Sequence, residues 1–374
     1  MRPTRFCFVL LLVSTVLNPA CLAQVNLDED VAFHGSYLYW DAEGKLNLVL
    51  RGRFFEPEKN SLARRLTRDR VIIPTLFGFI GKKPTDFDEA SRGLMVERLS
   101  PFLFEGESGE SLKMRVVGRG GAVTITLPET ETGGHFAFRT ATAGERPVTD
   151  LAANGKDLHV QVVVPDKDPR KIATRLPIPL RQPKLLVISD VDDTVRIAEV
   201  IDRRRMVERV FLHRYEAVPG ISAIYNQLAE RGAQFHFVSG SPWQIAPVIE
   251  EFLAKTKFPQ ATLHCRQLNW DFWNSDPLHT KEFKVATIEE LLQQFSTGKV
   301  LMIGDDGEHD PEVYSEICKR HPDRIAGVWI RRVRETWDSS RLAGPMDLLG
   351  VDHCTAFQDA SELKVALKKI NLSR

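Results

Sequence analysis

The sequence predicts an α/β fold, a doubly wound parallel sheet in the second half of the chain, with a smaller β-rich domain before it. Three observations carry this. From Leu185 onward, short continuous apolar runs alternate with segments of helical period. Those runs lack polar alternation, which suits parallel strands covered on both faces. Before residue 180 the apolar residues instead alternate with polar ones between Gly-rich turns, as half-buried antiparallel strands do.

In the first half, Lys45–Phe55 (KLNLVLRGRFF), Leu112–Val117, Ala122–Leu127 and His135–Thr140 read as strands. Leu62–Arg70 and Asp86–Arg98 read as helical. Val71–Ile80 (VIIPTLFGFI) is strongly apolar but too short to span a bilayer, so it reads as a buried segment. In the second half the strands are Leu185–Ser189, Phe235–Ser239, Val300–Ile303 and Ala326–Ile330. Ile221, Ile224, Tyr225 and Leu228 follow the spacing of one helical face, and Gly232 supplies a stop. Ile245, Val248, Ile249 and Phe252 repeat it behind Pro242, placed as a first-turn proline, with Pro247 expected to bend the helix. Ile288, Leu291, Leu292 and Phe295 mark a third helix. Strand and helix in alternation give a doubly wound sheet, whose ligands sit at the carboxyl ends of the strands.

The N-terminal 23 residues have the layout of a secretory signal: Arg2 and Arg5, an apolar stretch from Phe6 to Leu17, and Cys21 and Ala23 as a small-x-small cleavage site. The expected division is a signal peptide over 1–23, a β-rich domain over 24–180, the α/β domain over 184–340 and a helical extension over 341–374. The chain is expected to be exported, to the periplasm or outside the cell. Cleavage leaves 48 basic residues against 50 acidic ones. This balance argues against nucleic-acid binding, which favours a basic surplus. Three cysteines remain, Cys265, Cys318 and Cys354, without a CxxC pair. Export permits a disulfide, but their apolar neighbours favour plain core thiols.

Polar residues gather where ligands are expected. The first sheet strand ends in Asp190-Val191-Asp192-Asp193-Thr194, the second in Ser239-Gly240-Ser241, and the third in Gly304-Asp305-Asp306, with Asp310 beyond; Lys284 precedes the third helix. Carboxylates crowded after a buried strand repel one another, and a divalent cation is the simplest compensation. Oxygen ligands without His or Cys favour Mg²⁺. Asp310 also reads as a helix N-cap, and Ser239 as a cap for the helix after Pro242. Asp193 and Asp306 divide between supporting the site and solvated surface.

This order of motifs resembles the haloacid dehalogenase superfamily. A narrower resemblance covers about Leu185–Val333: VISDVDDTVRIAEV, VPGISAIY, VSGSPWQ and IGDDGEHDPEVY are similar to the catalytic domain of the actin-patch-associated phosphatidate phosphatase family. The resemblance implies a phosphatase without a large cap, hydrolysing phosphatidate to diacylglycerol through an aspartyl-phosphate. Asp190 would be the nucleophile and Asp192 the acid and base. Thr194, Ser239, Gly240 and Lys284 would serve the phosphate. Asp190, the main-chain carbonyl of Asp192, Asp305, Asp306 and Asp310 would serve Mg²⁺. Asp306 departs from the family's more frequent Ser. The export signal departs from a family best known inside cells. The intervals between motifs leave no room for a large cap, which suits a bulky or membrane-bound phosphoester. Leu268–Trp273 (LNWDFW), Arg203–Arg205 and Arg331, Arg332 and Arg334 are candidate contacts to a membrane surface. Two alternatives stand beside this: a phosphatase of another bulky phosphoester, such as a phosphoprotein or nucleotide end, and a binding module with a vestigial site.

Overall fold

A computed structural model describes residues 22–370 apart from Gln24, 58–60, Gln182, 268–276, Thr297 and Trp337. The LNWDFW segment lies outside the described residues. So does the export segment, except Leu22 and Ala23, which pair in parallel with Ser111 and Leu112.

The second half is a six-stranded sheet, every strand parallel, in the spatial order Ala261–Arg266, Ala233–Pro242, Leu185–Ser189, Lys299–Asp305, Ile325–Arg331 and Cys354–Phe357. Leu185–Ser189 is buried at every residue, as its unbroken apolar run requires. The sheet is the expected parallel α/β sheet, and Asp190 follows one of its two central strands. Two strands escaped the sequence reading. Ala261–Arg266 contains His264 and Arg266, and Cys354–Phe357 falls in the segment expected to be only helical. Both are short edge strands with mixed polarity, which carry little periodic signal. The helix Ala246–Lys255 also differs from expectation. The preceding strand extends through Pro242, and Pro247 occupies the first helical turn, where its missing N–H costs nothing.

The first half contains two antiparallel sheets, one built on Leu46–Glu56 and the other on Ser111–Gly118. Leu46, Leu48, Leu50 and Phe54 share one core with Leu112, Met114, Val116, Leu158 and Val160. Leu46–Glu56 is nevertheless not half-exposed. Its other side carries Val49, which joins Tyr37 and Tyr39 in a second core with Leu186, Ile188, Leu291, Leu292 and Phe295 of the α/β unit. The Arg51 guanidinium pairs with Glu290 at 2.6 Å, and the Tyr37 hydroxyl donates to Gln294. Four imidazoles occupy this junction. His236 Nδ1 and His264 Nε2 are 2.9 Å apart, while His34 stacks on Trp243 and His135 meets the same indole edge-on.

Residues 62–103 form a helical arm that leaves the β-rich half. It begins with Leu62–Thr67, passes through a π-helical turn at Arg68–Ile72 into Ile73–Ile80, and returns as Glu89–Leu99. Ile72, Leu76, Phe77, Met95, Leu99 and Phe102 share a core with Val207, Val210 and Phe211 of the helix Arg203–Leu212. The apolar run Val71–Ile80 is thus spent on the α/β unit. Among the described residues no helix is long and apolar enough to cross a membrane, and Cys265, Cys318 and Cys354 are free thiols.

Two predictions follow from these junctions. Phe211 is fully buried under Phe102, so Phe211→Ala should cost about 3–5 kcal/mol, read from denaturant unfolding. Burial, aided by neighbouring cations, holds His34 and His236 down at about 3, and burial with Arg53 holds His135 at about 4. An unfolded chain protonates these rings near 6.5, so stability present above that pH is lost as pH falls toward the folded-state values. The thermal midpoint should fall steadily from pH 6.5 to 4; a flat profile would refute neutral, buried imidazoles.

Candidate active site

Asp190, Lys284, Asp305 and Asp310 converge at the carboxyl edge of the sheet, all buried. The Asp190 N–H donates to the carbonyl of Ile303 on the neighbouring strand at 2.9 Å, fixing the nucleophile candidate against the strand that delivers Asp305. Asp305 is oriented by its own turn: Oδ1 accepts from the N–H groups of Gly307 and Glu308 at 2.7 and 3.3 Å, and the Thr194 hydroxyl lies 3.5 Å from Oδ2. Asp310 opens the helix Asp310–Arg320, but its side chain does not cap it. Oδ2 accepts from the Asp305 N–H at 3.2 Å, and Oδ1 takes Lys284 Nζ at 2.5 Å. The N-cap reading of Asp310 is therefore replaced by a role inside the cluster. Lys284 Nζ also stands 2.9 Å from Asp190 Oδ1 and 3.8 Å from Glu308.

Apart from Lys284, no donor among the described residues reaches the buried carboxylate oxygens of Asp190. Burial first, then Asp310 and Glu308, push its carboxyl well above the usual range, against the pull of Lys284. Asp305 is raised for the same reasons. Burial works against the Lys284 ammonium, yet Asp190 and Asp310 hold it well above its ordinary value. Oxygens of Asp190, Asp305 and Asp310 lie within 4.8 Å of one another, the spacing of ligands around one ion. Three carboxylates against one ammonium leave two negative charges uncompensated in a dry site, a deficit that a divalent cation would fill.

Asp192 faces away from that cluster. Arg196 brings Nε to 2.7 Å and Nη2 to 2.6 Å from its Oδ1. Its Oδ2 accepts from the Ser241 hydroxyl at 2.8 Å and lies 3.4 Å from the Ser239 hydroxyl. Ser239 does not cap the following helix; its hydroxyl accepts from the Ser241 N–H at 3.0 Å and closes the Ser239-Gly240-Ser241 turn. Asp193 adopts a left-handed φ of 52° and accepts from the N–H groups of Ala198 and Val200, so it shapes the loop that returns behind the site.

Asp306 is not brought into the cluster. Its Oδ1 accepts from the N–H groups of Val333 and Arg334 at 2.6 and 3.1 Å, because successive residues of an extended chain point to opposite sides and Asp305 takes the inward one. The Asp192 side chain is likewise outside the ligand cluster. Arg331 and Arg334 are also not free for a surface: Arg331 donates to the Asp193 carbonyl, and Arg334 to those of Asp306 and Gly307. Arg332 pairs with Glu362.

Arg196 and Arg266 are functional candidates that motif reading passed over. Arg196 sits two residues past DVDDT and could have been suspected, since a buried loop cation needs a carboxylate. Arg266 ends an unrecognised strand and gave no signal. It lines a cavity of about 200 Å³ beside Asp192, Gly240, Thr280 and Glu308. The opposite wall is apolar, formed by Val200, Met206, Val210, Pro242 and Ile245.

Residues 185–332 match the family described as phosphatidate phosphatase APP1, catalytic domain. An uncharacterized protein of Schizosaccharomyces pombe is 31% identical over 152 residues, which are 39% of this chain and 25% of that protein. Phosphatidate phosphatase APP1 of Saccharomyces cerevisiae is 30% identical over 149 residues, again 39% of this chain and 25% of that protein. The match thus spans about a quarter of the length of these curated relatives. A solved phosphoserine phosphatase in apo form superposes with a TM-score of 0.32 at 12% identity, covering 48% of this chain and 96% of its own. A phospho-aspartyl intermediate analogue of phosphoserine phosphatase gives the same TM-score and identity over 49% and 97%.

Gly304 tests the cluster directly. A Cβ there would lie 2.3 Å from Asp310 Oδ2, so Gly304→Ala should push Asp310 off its position. Calorimetric titration with Mg²⁺ should show affinity weakened at least tenfold, while unchanged affinity would remove Asp310 from the ligand set.

Proposed function

We propose that the chain is an Mg²⁺-dependent phosphatase working through an aspartyl-phosphate on Asp190, with phosphatidate as its substrate. The observation that carries this is the Asp190 carboxylate: buried, ion-paired with Lys284, and with no other donor among the described residues on either oxygen. A structural aspartate in that position would be satisfied by backbone donors, as Asp193 is. Asp190 instead keeps lone pairs that no backbone donor occupies, the state a nucleophile needs.

The residues fit Mg²⁺, since the donors are all oxygen and their charge exceeds that of Lys284 by two. Asp190, Asp305 and Asp310 would hold the ion with the main-chain carbonyl of Asp192, and it would supply charge neutralisation for the phosphoryl oxygens. Asp190 attacks phosphorus, and the bond from phosphorus to the leaving alkoxide breaks. Asp192 gives that oxygen its proton, then takes one from the water that hydrolyses the aspartyl-phosphate. Lys284, Ser239 and the Gly240 N–H hold the phosphoryl oxygens as charge moves onto them, with Thr194 steadying Asp305.

The substrate reading rests on the match to the yeast enzyme and on the form of the cavity. The cavity lining combines the cations Arg203 and Arg266 with the apolar Val200, Met206, Val210, Pro242 and Ile245, a mixture that suits a diacylglycerol backbone attached to a phosphate. Ile201, 52% exposed, and the exposed Arg204 and Arg205 adjoin Arg203 in the chain and would meet the headgroups of an anionic bilayer. With residues 1–23 acting as an export signal, the enzyme would work outside the cytoplasm.

The test is phosphate release by the mature protein on phosphatidate vesicles and on 4-nitrophenyl phosphate, with Mg²⁺ or with EDTA. Mg²⁺-dependent release that favours phosphatidate, and that falls by roughly 10³-fold or more in Asp190→Asn, is expected. Release from the aryl ester alone would keep the chemistry and reject the lipid. Release retained in Asp190→Asn would reject the mechanism.

A further inference from the structure

Asp192 is held by a residue that is itself held from far away in the chain. The Arg196 guanidinium is buried and lies 4.0 Å from the centroid of the Tyr215 ring. A second guanidinium, that of Arg98, lies 4.4 Å from the same centroid. Arg98 belongs to the helical arm, on Glu89–Leu99, and is only 4% exposed. It donates to the carbonyls of Val210 and His213 at 2.6 and 2.7 Å. Arg98 and Tyr215 are not among the residues lining the catalytic cavity.

The arm has an apolar core of its own with Val207, Val210 and Phe211, so docking alone does not call for a buried arginine. Burying a cation is costly, and a leucine or methionine would fill such a position at least as well. The placement of Arg98 becomes economical if its work is done on Tyr215: a cation on the ring fixes the ring, and the ring fixes Arg196.

We propose that Arg98, Tyr215 and Arg196 form a positioning relay through which the helical arm sets the carboxyl group of Asp192. The geometry says what is set. Two guanidinium N–H groups point at Oδ1, which leaves that oxygen poorly disposed to take a proton. Oδ2 faces the hydroxyls of Ser241 and Ser239 on the phosphate turn, and these can rotate to donate to the carboxylate or accept from the acid. Oδ2 is therefore the oxygen that the guanidinium leaves free to exchange a proton: in the proposed reaction the proton passes to the alkoxide oxygen as the phosphorus–oxygen bond breaks and the Asp190–phosphorus bond forms, and a proton from water returns in the second step as the Asp190–phosphorus bond breaks. This rests on the phosphatase reading above. It makes the arm, absent from the motif-bearing segment, part of what aligns the acid.

Leaving groups separate this from a role in packing. A short-chain phosphatidate releases a poor alkoxide and needs the proton; 4-nitrophenyl phosphate releases a stable phenolate and hardly does. Tyr215→Leu and Arg98→Met in the full mature protein should lower kcat on the short-chain phosphatidate by about tenfold to a hundredfold, with KM little changed, and lower kcat on the aryl ester by much less. Tyr215→Phe keeps the ring face and should restore the alkyl reaction. Equal losses on both substrates, no loss on either, or failure of Tyr215→Phe to restore activity at a wild-type thermal midpoint would overturn the relay alone. A wild-type protein inactive on both esters would overturn the phosphatase reading and the relay with it.

Discussion

The structure is organised around one buried ammonium. Lys284 bridges Asp190 and Asp310, stands near Glu308, and reaches them from the middle of the helix Pro277–Gln294. Without that cation, two carboxylates from separate strands and a third from a helix start could not share a dry volume, because each would pay desolvation and repel the others. With it, the negative charge is reduced but not cancelled, and among the described residues Asp190 has no donor besides Lys284. The sheet register follows the same requirement. The Leu185 and Lys299 strands run side by side in parallel, so Asp190 and Asp305 emerge together at one edge.

Around this charge cluster the chain spends its first half on two supports. The two antiparallel sheets press Tyr37, Tyr39 and Val49 against the parallel sheet and bring His34, His135 and Arg53 around Trp243, two residues beyond the Ser239-Gly240-Ser241 turn. The helical arm covers the helix Arg203–Leu212, whose Arg203, Met206 and Val210 line the cavity. The cavity depends on both supports, since part of its lining comes from the helix Arg203–Leu212 under the arm and from the segment Gly240–Ile245 beside the β-rich half. This explains why a segment with no motif of its own can bear on the site.

Much of the α/β half was legible in the sequence for a physical reason. A strand buried on both faces must be continuously apolar, so Leu185–Ser189 and Val300–Ile303 announced themselves, and the acids after them marked the ligand edge. The edge strands Ala261–Arg266 and Cys354–Phe357 did not, because an edge tolerates polar residues such as His264 and Thr355. Leu46–Glu56 was recognised as a strand, but its burial on both sides was not. Arg51 and Arg53 meet Glu290 and Trp243, far away in the chain, contacts that the local pattern of a strand does not encode.

By itself the sequence determined the strand order of chemistry: a nucleophile candidate after the first sheet strand, a hydroxyl turn after the second and acids after the third; it set Lys284 before the third helix, whereas that helix starts earlier and carries Lys284 within Pro277–Gln294. These are local features, set by residue type beside a periodic run. Tertiary structure decided which of the acids meet. Asp305 and Asp310 turn inward while Asp306 turns to the 333–334 loop, since the strand's alternation is fixed only once its partners set its faces. It also decided that Asp192 is governed by Arg196, Tyr215 and Arg98. A stack of two cations on one ring joins residues separated by over a hundred positions, and no spacing along the chain encodes a contact made only by packing.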